Sequence, residues 1–164
     1  MRAFVTIFAV VANLLLADAV TKELAAARLK GEAAVSVVPG LFDLAYVENR
    51  GCAWGMFQGN AWPLAAFALV MLAALVWKRR AVFHTASRGW RVAAGNVAEW
   101  LLYAGIIGNL IDRVWRGYVI DFLDFHWGAS HFPCFNLADA YITVAAALLI
   151  VMSFGEEKGK CPRP

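Results

Sequence analysis

The chain has 164 residues, room for one domain. Hydrophobic residues make up 62% of it and charged residues only 16%, with a mean hydropathy of +0.61, which excludes an ordinary soluble domain and points to an integral membrane protein. The net charge of +3 is small, and no basic tract interleaved with aromatics appears, which argues against nucleic acid as a partner.

Four apolar segments are expected to be helices: 4–20, 62–77, 92–111 and 135–154. Each is near the roughly 20 residues needed to cross a bilayer, the first two being short and extended at their ends. The first also has a basic start, an apolar core and the ending Ala17-Asp18-Ala19, so it carries a cleaved-signal alternative that would leave three spans. Between the segments lie a long loop (21–61), a short basic loop (78–91) and a medium loop (112–134). Arg2, the loop 78–91 and the tail hold nine Lys and Arg in 27 residues, against six in the 64 residues of the other two loops. The positive-inside rule therefore sets both termini in the cytoplasm and both large loops outside.

Within the long loop, the stretch around Pro39-Gly40 reads as β-rich, with partial alternation in Phe42, Leu44 and Tyr46. Asn49-Arg50-Gly51 reads as a tight turn before Trp54 and Phe57, aromatics suited to the membrane interface. Of the three cysteines, Cys52 and Cys134 fall outside and could pair in an oxidising compartment, while Cys161 falls inside. No internal repeat is evident, which argues against transporter folds built from duplicated halves.

The strongly polar residues are not spread over all depths. Asp18 and Lys22 close the first helix, Asn109 and Asp112-Arg113 the third, Asp121 follows shortly, and Asn136 and Asp139 open the fourth. Most of the strongly polar residues thus gather at one level, near the outer boundary. The turn between helices three and four can bring Asp121 and Asp139 together, and Asn136 shares a helical face with Asp139. Two neighbouring carboxylates in low dielectric tend to share a proton, one serving as base and the other as acid, the chemistry that peptide hydrolysis needs. Plainer roles are expected elsewhere: Asp112 paired with Arg113, Asp124 solvated in the loop, Glu99 and Asn96 reaching cytosolic water. His126 and His131, five apart, match no strong zinc signature, so no metal is expected.

The blocks "DAVTK" (Asp18–Lys22), "ENRGCAWGMF" (Glu48–Phe57), "GNLIDRVWRGYVIDFLDF" (Gly108–Phe125) and "FPCFNLADAYI" (Phe132–Ile142) resemble, in order, those of bacterial lipoprotein signal peptidase, signal peptidase II. The resemblance implies a monomeric aspartic peptidase of the bacterial inner membrane, among membrane lipids and without a cofactor. It would cut a diacylglyceryl-modified prolipoprotein just before the lipidated cysteine. Asp121 and Asp139 match the catalytic pair. Asp18, Lys22, Asn49, Gly51, Gly108, Asn109, Asp112, Arg113, Asn136 and Ala138 match supporting positions, and the outer loop would be a β-rich cradle on a four-helix bundle. Three other classes stay open on the residues alone. These are a small channel or transporter, an intramembrane metallopeptidase using His126 and His131, and a non-catalytic assembly protein.

Overall fold

A computed structural model describes residues 2–51, 61–85 and 89–154. Cys52, Trp54, Phe57 and Cys161 lie outside them, and Cys134 is a half-buried free thiol. The elements run α1 (Arg2–Leu29), β1 (Val35–Val38), β2 (Phe42–Asn49), α2 (Ala61–Trp77), α3 (Arg79–Phe83), α4 (Trp90–Trp115), β3 (Val119–Trp127), β4 (Ser130–His131) and α5 (Leu137–Ser153).

All four expected helices are present, with different ends. Helix α1 continues to Leu29 because residues 22–29 are Ala, Leu, Lys, Glu and Arg, strong helix formers that hydropathy alone ignores. Gly31, at φ 83°, follows its end. Helix α4 likewise overruns the apolar segment to Trp115, and Gly117, at φ 78°, follows that end. The basic loop after α2 holds a short helix, α3, that was not expected. Helices α2 and α5 have 17 residues each, about 25 Å at 1.5 Å per residue. The longer α1 and α4 carry Asp18, Lys22, Glu99 and Asp112 within them. Among the described residues, no helix is both long and apolar enough to cross a membrane.

The sheet is antiparallel in the order β1-β2-β3-β4. The expected β-rich first loop supplies only half of it; β3 and β4 come from the loop between α4 and α5. A register shift between Leu44 and Val47 changes the pairing from Asp43↔Asp124 to Asn49↔Val119. That one-residue bulge puts Asn49 on the same face of the sheet as Asp121, where an unbroken ladder would have turned it away. Ile120 and Phe122 on the opposite face pack against Ala25 and Leu29 of α1. A second cluster, Phe83, Ala98 and Ala145, joins α3, α4 and α5. Glycines let α4 approach its neighbours closely: a Cβ at Gly105 would lie 2.5 Å from the Ala138 carbonyl oxygen, and one at Gly108 2.7 Å from Asp18 Oδ2.

Candidate active site

The start of α5 organises the site. The segment before it runs along β3, with Phe135 N–H donating to Leu123 O and Phe135 O accepting from Leu123 N–H. This delivers Asn136 beside Asp121. Asn136 is the N-cap of α5 in a capping box with Asp139: its side-chain oxygen accepts from Asp139 N–H at 3.0 Å, and its own N–H donates to Asp139 Oδ2 at 3.3 Å. Its side-chain amide, fully buried, donates to Asp121 Oδ1 at 2.6 Å. One residue therefore holds both carboxylates.

Further amides fix the pair from either side. Asn109 donates to Asp139 Oδ1 at 2.7 Å, and Asn49 donates to Asp121 Oδ2 at 2.9 Å. Asn49 is itself oriented by Gly51 N–H, which donates to its Oδ1 at 3.0 Å. Arg113 donates to the carbonyls of Asn109 and Gly51, tying α4 to that turn. Below lies Lys22, 1% exposed, whose ammonium reaches Asp18 Oδ2 at 2.8 Å, Asp112 Oδ2 at 2.9 Å and Asn109 Oδ1 at 3.1 Å. Two ion pairs and a hydrogen bond surround it, which is how a buried ammonium is tolerated. Asp18 also accepts from Ala138 N–H at 2.9 Å, joining α1 to the first turn of α5.

Asp121 is 1% exposed, and burial first, then the charge of Asp139, pushes its carboxyl up to about 7. Asp139 is half-buried and lines a cavity of about 710 Å³. Apolar residues of α2 (Phe67, Met71, Leu75) and α4 (Leu102, Ile106) form its walls, and Asn109 and Arg113 flank Asp139 at one end.

All twelve residues singled out in the sequence lie in or around this network. Gly51 and Ala138 contribute backbone groups, and Gly108 contributes the space that Asp18 occupies. Three plainer expectations are corrected. Asp112 makes its ion pairs with Lys22 and with Arg116, one helical turn on at 3.1 Å, rather than with its neighbour Arg113. Consecutive residues on a helix point apart. Asp124 is a half-buried strand residue with His131 Nδ1 3.0 Å away. Glu99 is fully buried, held by Arg79 and His84 rather than reaching water. Among the described residues, no group of three or more His, Cys, Asp or Glu side chains could hold a metal ion.

Fold and site together describe a helical protein with a paired-carboxylate centre at the end of an apolar groove. The sequence pattern of the family described as "Signal peptidase (SPase) II" matches residues 10–155. The lipoprotein signal peptidase of Geobacter sulfurreducens is 39% identical over 94% of this chain and 94% of its own. That of Syntrophotalea carbinolica is 40% identical over 88% and 89%. A solved structure titled as a bacterial membrane enzyme superposes with a TM-score of 0.78 at 29% identity, covering 97% of this chain and 93% of the other. The chain belongs to the signal peptidase II family and is a peptidase.

Proposed function

We propose that the chain removes signal peptides from diacylglyceryl-modified prolipoproteins, cutting before the lipidated cysteine, as an aspartic endopeptidase with Asp121 and Asp139 as its catalytic pair. The observation that carries this reading is the double role of Asn136, which donates to both carboxylates at once. Asp139 faces the groove and takes a proton from water as the water oxygen bonds to the scissile carbonyl carbon. Asp121, which keeps its proton up to about pH 7, gives it to the amine nitrogen as the C–N bond breaks. Proton return from Asp139 to Asp121 resets the pair.

The same reading makes the chain a single multi-pass domain of the bacterial inner membrane, four helices with both termini cytoplasmic and the site near the outer face. It acts as a monomer among membrane lipids, with no cofactor. Exposed aliphatics on α2 (Leu69, Val70, Val76) and α5 (Val144, Ile150, Val151) suit lipid contact. Trp62, Trp115 and Trp127 are exposed near one end of the bundle, and Trp77, Trp90 and Phe154 near the other, as two interfacial belts would be. Lys78 and Arg91 stack on Trp77 and Trp90 at the end assigned to the cytoplasm. Spans shorter than the bilayer are accommodated by local thinning and by such flanking residues. The groove then receives the apolar part of the signal peptide, with the scissile bond at its Asp139 end.

The test is turnover of a diacylglyceryl-modified prolipoprotein in detergent. Asp121→Asn and Asp139→Asn should each lose about 10²–10⁴-fold or more, and the double variant should be little worse than either. Near wild-type cleavage by Asp139→Asn would overturn the assignment.

A further inference from the structure

The groove's wall α2 has little holding it. Ala65 is its one buried residue among those described, and Phe67, Leu69, Val70 and Val76 are exposed. At the far end from Asp139, however, the chain passes from α2 straight into α3, with Lys78 N–H donating to Ala74 O and Val82 N–H donating to Lys78 O. There Arg79 donates to Glu99 of α4 through both Nε and Nη2, the latter at 3.0 Å from Oε2, and His84 Nε2 lies 3.1 Å from the same oxygen. Glu99 is 0% exposed. Phe83, between these two α3-side partners, is buried against Ala98, and Gly95 leaves no room for a Cβ beneath its carbonyl. Leu75, which lines the groove, packs on that same cluster.

We infer that Arg79, Glu99 and His84 form a clamp that fixes the spacing of α2 from α4, making Glu99 a positioning residue for substrate in the groove. This rests on the groove being the signal-peptide site. A bidentate guanidinium–carboxylate pair has one geometry, so it sets an angle as well as a distance. With this end fixed, a small rotation at the clamp becomes a larger change in groove width farther along, toward Asp139. None of the three residues lies at the carboxylate pair. Their effect is therefore on binding and not on the proton transfers.

The experiment compares KM and kcat for the lipid-modified prolipoprotein in detergent, with thermal unfolding alongside. Glu99→Gln should raise KM roughly tenfold, the factor that about 1.4 kcal/mol of lost binding gives, while kcat stays within about twofold. The double variant Arg79→Gln with Glu99→Gln, which removes both charges and leaves two amides able to bond, should recover part of the KM. A stabilising role alone would lower the melting temperature and leave KM of the folded enzyme unchanged. That result overturns the clamp, as does a fall in kcat at constant KM. If Glu99→Gln does not fold, Arg79→Lys decides: it keeps the charge but cannot donate in parallel, so KM should still rise, and an unchanged KM overturns the inference. Failure of the unaltered protein to cut the substrate would instead refute the peptidase reading beneath it.

Discussion

Replacing Asn136 by alanine asks whether the two carboxylates act as one unit. The substitution removes a helix cap on Asp139 N–H and a 2.6 Å hydrogen bond to Asp121, both at a fully buried position. Loss of the cap costs about 1 kcal/mol at any pH. Loss of a hydrogen bond to an ionised acceptor costs about 1.5–3 kcal/mol, but only where Asp121 is ionised. Burial and Asp139 already raise the Asp121 carboxyl from 3.8 to about 7, and the Asn136 bond opposes that rise. Without it the carboxyl titrates higher still, by about one to two pH units at about 1.4 kcal/mol each. The sign follows from linkage: a carboxyl raised in the folded state binds more protons there than in the unfolded chain, so stability falls as pH rises. The variant should thus lose about 1 kcal/mol in mild acid and about 3 kcal/mol well above neutrality. In the kcat/KM profile, the alkaline limb that reports loss of the shared proton should move up by about one to two pH units while the maximum drops. Both readouts come from purified protein in detergent, by thermal unfolding and by cleavage rate across pH. A limb that stays in place while activity falls would mean that Asn136 is a cap only and that Asp121 does not set the profile.

Two further outcomes follow from the packing. His126 and His131 lie beside Asp43 and Asp124 on the face of the sheet turned away from Asp121, so replacing both by alanine should leave most activity, and a chelator should change nothing. Activity lost and then restored by zinc would contradict this. Gly105→Ala forces a Cβ to 2.5 Å from a backbone carbonyl and 2.6 Å from Ile142, so α4 and α5 must part. Turnover should fall at least about tenfold as Asn109 and Asp139 separate, an ångström of misplacement being enough to cost more than that; wild-type turnover with an unchanged melting temperature would refute it.

The site was legible because carboxylates, amides and a lysine are expensive in an apolar chain, so their gathering at four places in order carries information that hydropathy cannot blur. The architecture was legible only in part. Hydropathy ended α1 near Val20, yet the packing of Ala25 and Leu29 on Ile120 and Phe122 shows why the helix must run on: it is the floor of the sheet. The strand Val119–Trp127 hides its period because the face packed on α1 and the face carrying Asp121 are both partly apolar. The bulge at residues 44–47 is a pairing event between distant strands and leaves no local mark. The partner of Asp112 was readable in principle, since i, i+4 geometry favours Arg116 over Arg113. Glu99 was not, because its partners, Arg79 and His84, sit in a loop that looked like solvated basic surface.

The charge pattern sets Asp121 and Asp139 apart from the other buried acids. Asp18 and Asp112 lie against Lys22, Asp112 also against Arg116, and Glu99 against Arg79. Each of these buried acids has a cation to neutralise it. Among the described residues, amides hold the carboxylate oxygens of Asp121 and Asp139: Asn49, Asn109, and the side chain and backbone of Asn136. An amide orients a carboxylate without cancelling its charge. Burial, and then the charge of Asp139, accordingly raises the Asp121 carboxyl. Lys22 serves this arrangement at one remove. It balances Asp18 and Asp112 and, through Asn109 Oδ1, turns the amide of Asn109 so that its N–H points at Asp139. The cation thus orients Asp139 from one hydrogen bond away.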